Sequence, residues 1–409
     1  MDAARRSGRL PWTLLVTATL VAQAPGLATA QPPLSPKSGG RGRPLVHHLS
    51  GAPESSLTIS GPALSIGGGS GGPAYEFSMI AGVTRLPDGR WAVGNLTTSE
   101  IRVYSSAGRF EKSMGRKGRG PGEFPFLWQL WRVGDTLIGA DGAGLSQVFA
   151  ADGTYLRSLP RPSAAGRPVE RFGYLGDGSY VGGYLEPTDE IPGDRSTRWI
   201  TLVRGQGEDV APLQRYRARE LARKGKGEPI PLVYGPRIEV AVLGRHYCAG
   251  FSDTFLIDCY TGDGKPVVSV RMEGARPPRV TARDRQVYFD GVDKGNPGPR
   301  GAKYREEVRA VTEFAAAFPA FGRLVPSTSE ELWVGPLVPA DATVGSFNPV
   351  PEGPTTWFVF NMAGRWVGRV ELPARFRLME AGADYVAGVA QDADEMERVV
   401  VYALSRDRR

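Results

Sequence analysis

The sequence predicts an all-β fold, a six-bladed β-propeller with one short helical insertion and a last blade closed by the N-terminal strand. Three observations lead to this prediction. Motifs recur at intervals of about 45 residues, short β-branched and aromatic segments are joined by Asp-Gly or Ala-Gly turns, and glycine and proline are frequent, at 54 and 34 residues. Four-stranded repeats of about this length are typical of propeller blades.

The recurrence is clearest between "IRVYSSAGRF" at 101–110 and "SQVFAADGTYL" at 146–156. Val103, Gly108 and Phe110 match a valine, a glycine and a tyrosine 45 residues later. A second strand-like segment precedes each such strand, and the six couples that result predict six blades. The couples are 86–93 with 101–104, 133–139 with 146–149, 175–181 with 200–203, 243–251 with 255–260, 329–335 with 356–360, and 384–390 with 398–404.

The two ends of the chain fit a closed ring. The C-terminal "ERVVVYAL" at 397–404 ends without the outermost strand of its blade, and "LTISGPALSIGG" at 57–68 has no inner partner before it. We therefore expect the N-terminal strand to complete the last blade, which leaves no open sheet edge for aggregation.

Residues 1–30 read as a secretory signal peptide, with a basic start, a short apolar run and a small-x-small cleavage pattern ending at Ala30. The apolar run is too short for a membrane span. We expect a flexible segment at 31–51 and the propeller at 52–409. Loss of residues 1–30 takes away three arginines and one aspartate and leaves a net charge of +5. The sequence thus predicts an exported protein, periplasmic or secreted, without a membrane span in the mature chain and monomeric.

At this point the sequence resembles the six-bladed β-propellers related to the NHL-repeat family. The residues that carry the resemblance are "GRKGRGPGEF" at 115–124, "LPDGRWAV" at 86–93 and the 101–110 strand with its relatives. The resemblance implies the propeller fold. The family includes protein-, ligand- and RNA-binding members and a few lyases and hydrolases, so it does not by itself choose a function.

Functional residues are expected on the propeller face that carries the long loops. The glycine-rich loop at 115–124 has a copy without basic residues at 65–77, so its glycines are explained by the crossing between blades. The basic residues of the loop at 115–124 are specific to this copy. A second basic cluster lies in an insertion at 208–236. The candidate binding residues are Arg116, Lys117, Arg119, Arg215, Arg217, Arg223 and Lys224.

A longer insertion at 280–318 is expected to contain the helix, at 305–318. Val308, Val311, Phe314 or Ala315, and Phe318 follow one another at helical spacing. Such an apolar stripe packs on the blade tops or binds a partner, and the sequence leaves both interpretations open.

Catalytic motifs are scarce in this chain. Gly68 to Gly72 satisfies G-x-S-x-G without the strand and helix that a nucleophile elbow needs. Only three histidines exist, His47, His48 and His246, too few for a convincing zinc site or Ser-His-Asp triad. Export argues against a nucleic-acid partner for the basic clusters.

A metal centre needs fewer residues. Propeller lactonases and related hydrolases hold a divalent cation in the central funnel with oxygen ligands from strand ends. Asn95, Asp141 and Glu186 lie where the second strands of predicted blades end, and such oxygen ligands suit calcium. The alternative is that they are turn residues that bond the local backbone.

Cys248 and Cys259 flank "AGFSDTFLID" and are placed symmetrically about its turn, so they face each other across a predicted hairpin. In an oxidising compartment they form a disulfide or remain two buried thiols.

Taken together, these observations favour an exported, non-enzymatic binding scaffold without a cofactor, whose loop-rich face engages a protein, glycan or small-molecule ligand. The alternative is a calcium-type hydrolase, lactonase or lyase with its site in the central funnel.

Overall fold

The chain folds into six antiparallel sheets, each with its first strand innermost and its later strands progressively further out. The structure, a computed structural model, describes residues 45–48, 53–68, 71–187, 194–207, 209–224, 228–272, 276–338 and 350–408. The predicted signal peptide lies outside these residues.

The elements in chain order are β1 (Leu45–His48), β2 (Ser55–Gly67), a 3-10 turn (Pro73–Tyr75), β3 (Ile80–Arg85), β4 (Trp91–Asn95), β5 (Glu100–Tyr104), β6 (Phe110–Met114), β7 (Leu127–Val133), β8 (Thr136–Asp141), β9 (Ser146–Ala150), β10 (Tyr155–Leu159), β11 (Ser163–Ala164), β12 (Arg167–Pro168), β13 (Glu170–Tyr174), β14 (Tyr180–Leu185), β15 (Arg195–Gln206), β16 (Asp209–Ala222), β17 (Ile230–Pro231), β18 (Ile238–Leu243), β19 (His246–Phe251), β20 (Leu256–Thr261), β21 (Pro266–Arg271), α1 (Ala282–Gly295), α2 (Gly298–Val311), β22 (Arg323–Pro326), β23 (Leu332–Gly335), β24 (Thr355–Phe360), β25 (Trp366–Leu372), β26 (Phe376–Ala381), β27 (Tyr385–Gln391) and β28 (Glu397–Arg408).

The six sheets are the six predicted blades. They consist of β3–β6, β7–β10, β13–β17, β18–β21 with β1, β22–β25, and β26–β28 with β2, while β11 and β12 form a separate small hairpin. Each first strand contacts the first strand of the next blade, and β26 contacts β3, so the first strands form a ring. All six couples of strands read from the sequence are confirmed as the second and third strands of successive blades.

The turns between neighbouring strands explain why Asp-Gly recurs in the sequence. Asp88, Asp152 and Asp177 each accept, through a carboxylate oxygen, the backbone N–H of the residue two positions on, at 3.1, 2.9 and 2.9 Å. A short acidic side chain satisfies the turn backbone in this way, and the glycine that follows adopts a positive φ. The repeat therefore marks the turns of the blades.

The N-terminal strand β2 supplies the outer strand of the last blade. It lies antiparallel to β28, from the pair Ser55 and Arg408 to the pair Gly67 and Arg398. Leu57 and Ile66 are buried, at 5% and 1% exposure, against the fifth and the first blade respectively. The two ends of the chain thus meet in one sheet.

Both copies of the glycine-rich loop are crossings from an outer strand to the next blade's first strand. Gly67 and Gly115 have φ values of 101° and 75°. A Cβ atom on either glycine would lie within 2.9 Å of the ring of Phe77 or Phe124. Glycine is required at these points because the backbone is left-handed and a buried phenylalanine ring covers it.

The segment predicted to be flexible, 31–51, contains a strand. The backbone of Leu45–His48 lies parallel to β21, in register with Val268–Arg271. An outer strand offers unpaired backbone groups to any extended segment that reaches it, and the sequence shows no pattern for such an added strand.

The helical insertion lies where the sequence predicts it, between the fourth and fifth blades, but it has two helices and different bounds. Helix α1 begins with a capping box between Thr281 and Asp284. Helix α2 ends at Val311, so the predicted helix at 305–318 is wrong in its second half. Residues 313–317 are not helical, and their backbone instead pairs with Val233 and with 279–280.

Among the described residues, neither helix is long and apolar enough to cross a membrane.

A disulfide joins Cys248 and Cys259. The two residues are direct partners in the pairing of β19 with β20, and both are buried. Register therefore brings the two sulfur atoms together, as the symmetric placement about the turn implied.

We expect the double variant Cys248→Ala/Cys259→Ala to have a free energy of unfolding about 3 kcal/mol below that of the wild type, from the lost constraint on the unfolded chain. Urea unfolding monitored by tryptophan fluorescence measures this difference. Added dithiothreitol should destabilise the wild type and leave the double variant unchanged. Equal stability of the two oxidised proteins would contradict the prediction.

Candidate functional site

The propeller has two unlike faces. The turns from first to second and from third to fourth strands lie on what we call the turn face. The turns from second to third strands and the crossings between blades, including α1 and α2, lie on what we call the crossing face. Most of the large apolar side chains that remain exposed belong to the crossing face or its helices. They are Met79, Phe126, Trp128, Leu185, Val287, Tyr304, Val311 and Met396.

The basic loop lies on the crossing face, and one of its cations has a structural role. Arg116 forms an ion pair with Glu123 at 2.7 Å, and Glu123 also accepts the backbone N–H of Gly120 at 2.9 Å. The bond from Gly120, followed by that from Arg116, lowers the pKa of the Glu123 carboxyl. Lys117 and Arg119 are exposed and form no ion pair within the described part of the chain. These two are therefore the basic residues of the loop that no described acidic residue neutralises.

The second basic cluster lies largely in a strand and not in a loop. Arg215 and Arg217 belong to β16, which pairs with β15 along its length. Arg215 binds Glu186 through two nitrogens, at 2.8 and 2.7 Å, and its guanidinium lies 4.1 Å from the ring of Trp199. Because Arg215 donates to it, the pKa of Glu186 is lowered.

Arg217 is neutralised in the same way. It forms an ion pair with Asp253 and lies 4.1 Å from the ring of Phe251. Lys224 lies 4.0 Å from Glu313, and Arg223 donates its backbone N–H to the carbonyl of residue 194 at 2.9 Å. Residues 225–227 of the predicted insertion lie outside the described residues. The alternating pattern of a strand presents these arginines to acidic and aromatic neighbours.

The three residues predicted to hold calcium are each bound to other protein groups. Asp141 accepts two backbone N–H groups of its turn with one oxygen, both at 2.9 Å. Asn95 accepts from the backbone of Ser78 at 3.4 Å and donates to Thr98 at 3.1 Å. Glu186 is bound to Arg215. Among the described residues, no three His, Cys, Asp or Glu side chains converge as a metal site.

A central cavity of about 430 Å³ opens on the turn face between the first strands. Its notable group is Glu380, which accepts from Thr84 at 2.6 Å, from the backbone of Arg85 at 2.9 Å and from Tyr385 at 2.6 Å. Burial raises the pKa of this carboxyl. Since Glu380 belongs to the last blade and two of its donors belong to the first, this hydrogen-bond network joins the last blade to the first.

A second cavity, of about 400 Å³, lies on the crossing face between the helices and residues 230–237. We call it the insertion cleft. Leu232, Tyr288, Val308 and Val311 contribute apolar side chains to its lining. Its size and apolar lining are those of sites for small organic ligands, which range from roughly 300 to 1,000 Å³.

Tyr234 holds the wall of the insertion cleft in place. Its ring lies 4.9 Å from that of Phe318, and its hydroxyl donates to the carbonyl of Asp284 at 3.1 Å. Burial raises the pKa of Tyr234 to about 12, so the phenol stays neutral and continues to donate. Its φ of 58° is unfavourable for a bulky side chain, and such strain concentrates at binding sites.

Two guanidinium groups line the same cleft. Arg219 and Arg237 are bridge partners, in β16 and just before β18. Arg237 binds Glu239 at 2.6 Å and the carbonyl of Gly322 at 3.1 Å. Sequence reasoning missed both arginines and Tyr234, because residues from five separate segments form the cleft. The signal in the sequence was the apolar spacing at 305–318: Val308 and Val311 lie on α2, whereas Phe314 and Phe318 follow the helix and pack on Tyr234.

Comparison with known proteins bears on the fold. No protein-family model matches the chain, and no curated protein matches it either. A member of the DUF4221 family from Bacteroides vulgatus superimposes with a TM-score of 0.51 at 10% identity, over 87% of this chain and 100% of that one. A Bacteroides fragilis protein described as exported gives 0.46 at 14% identity, over 89% and 99%. The calcium-binding protein regucalcin from Agrobacterium tumefaciens gives 0.39 at 11%, over 89% and 98%.

Proposed function

We propose that this chain is an exported, non-enzymatic binding protein that holds a small, largely apolar ligand in the insertion cleft. The observation that carries the proposal is the cleft itself, a concave apolar site on the crossing face. A rigid ring of six blades supports it, as is usual for binding sites on variable segments.

The contacts around the cleft support a preformed site. Val233 forms two backbone hydrogen bonds with the segment after α2. Its N–H donates to the carbonyl of Glu313 at 2.9 Å, and its carbonyl accepts from the N–H of Ala315 at 3.0 Å. Arg309 binds Asp293 at 2.7 Å and thereby joins the two helices. A site that is rigid before binding loses little conformational entropy when the ligand enters.

Export is supported by the features of residues 1–30 and by the disulfide, since disulfides persist in oxidising compartments. We further propose kinship with the NHL-repeat propellers. The two glycine-rich crossings, each with a buried phenylalanine, support this kinship.

The test uses decanol as an uncharged apolar probe. We expect the wild type to bind it with saturation at one site, and Val311→Trp to bind it at least about tenfold more weakly, because the indole occupies the cleft. Val311 is 40% exposed at the end of α2, so the variant is expected to fold. Isothermal titration calorimetry measures both affinities.

Val287→Trp is the matched control, since Val287 is an exposed helix valine, at 53%, that does not line the cleft. It should bind decanol like the wild type. Absence of saturable binding by the wild type, or equal affinity of the two tryptophan variants, would refute the cleft as the binding site.

A further inference from the structure

The insertion cleft combines an apolar lining with one arginine, Arg219, that forms no ion pair with any described residue. From this combination we propose that its ligand is an amphipathic organic anion, with an apolar body and a carboxylate-type head bound by Arg219. This inference rests on the proposed function and adds the chemical class of the ligand.

The charge balance of the cleft favours an anion over a cation. Within the described part of the chain, its charged lining residues are Arg219, Glu220 and Arg237. Glu220 lies 4.0 Å from Arg217, an arginine that does not line the cleft. Arg237 is already paired with Glu239 at 2.6 Å, so among the described residues Arg219 is the charged lining group without an ion-pair partner.

The two arginines have different tasks. Arg237 is held by Glu239 and by the carbonyl of Gly322, so its charge is already opposed and its guanidinium is fixed in the wall. Arg219 is exposed, and among the described residues its guanidinium has no hydrogen bond or ion pair. The guanidinium of Arg219 is thus the group that can bind a ligand.

The position of Arg219 suits the head of an amphipathic molecule. It lies at the solvent-exposed edge of a cleft whose lining includes buried Leu232 and Tyr288. A guanidinium binds a carboxylate through two parallel hydrogen bonds, and both are stronger than bonds between neutral groups. The apolar body would then displace water from the lining while the head remains at the edge.

The experiment compares three probes that share a decyl chain: decanoate, decanol and decyltrimethylammonium. Calorimetry on the wild type should give at least about tenfold tighter binding of decanoate than of decanol, as expected for a charge-assisted hydrogen bond. Decyltrimethylammonium should bind more weakly than either. Arg219→Gln should remove the preference for decanoate and leave the affinity for decanol unchanged.

Arg217→Gln is the matched control, because Arg217 is a nearby arginine of the same strand that does not line the cleft. It should retain the preference for decanoate. Equal binding of decanoate and decanol by the wild type, or a preference that survives Arg219→Gln, would overturn the inference.

The outcomes separate this inference from the proposed function. If decanol binds and Val311→Trp blocks it, but decanoate binds no better, only the anionic head is refuted. If none of the three probes binds, the cleft is not the binding site and both proposals fail. Sedimentation with phosphatidylglycerol vesicles without binding of free decanoate would place the anion in a membrane and would also overturn the small-molecule ligand.

Discussion

The double variant Leu57→Asp/Ile66→Asp is expected to lose cooperative folding. Leu57 packs against the fifth blade and Ile66 against the first, and each lies in a hydrophobic core that also contains residues of that neighbouring blade. Loss of a buried leucine or isoleucine costs about 2–5 kcal/mol, and the buried carboxylate adds to this cost. Two such changes together remove a large part of the free energy of unfolding of a typical domain, which is about 5–15 kcal/mol.

The same strand offers a matched control. Thr58 and Ser65 are each next to one of these residues and are exposed, because side chains alternate between the two faces of a strand. Thr58→Asp/Ser65→Asp should therefore unfold close to the wild type in urea or on heating. If both double variants behave alike, β2 does not close the ring in solution.

The second large effect is expected from Glu397, at the seam between the last and first blades. Its carboxylate accepts the backbone N–H of Ile80 at 2.5 Å and lies 4.0 Å from the guanidinium of Arg377. Arg377 also donates to the carbonyl of Ile80 at 3.2 Å. The exposure of the Arg377 and Glu397 side chains is 1% and 8%, so water can replace neither partner.

We expect Glu397→Ala to lower the free energy of unfolding by about 3–5 kcal/mol, as for removal of one partner of a buried ion pair. Glu397→Gln should cost less, because its amide oxygen can still accept from Ile80. Urea unfolding measures both variants. Glu395→Ala is the control, since Glu395 pairs with Lys294 on the surface and such pairs contribute little. A loss for Glu395→Ala as large as that for Glu397→Ala would refute the role of the seam.

The blades could be predicted from the sequence because their signals are local. Each Asp-Gly turn is stabilised by a bond that spans two residues, and the second and third strands of the blades are short runs of consecutive buried residues. The crossings at Gly67 and Gly115 could also be predicted, since the glycine and its covering phenylalanine are close in the chain. A repeated local pattern is enough to count blades and to locate their boundaries.

The basic residues show where sequence reasoning stops. The second basic cluster was predicted to lie in an insertion at 208–236, but Arg215 and Arg217 are strand residues neutralised by Glu186 and Asp253. These acids are 29 and 36 residues away along the chain. No pattern within the cluster indicates such partners. By contrast, Arg219 was not among the predicted binding residues, although it lines the cleft.

The sequence alone thus determined the all-β class, the six blades, the outer position of β2 and the place of the helical insertion. Those properties follow from periodicity and turn chemistry, which act over a few residues. Only the tertiary structure decided which cations are paired, where α2 ends, and that five distant segments enclose an apolar cleft beside Arg219. Such properties depend on contacts between segments far apart in the chain, and burial and charge pairing arise only when those segments meet.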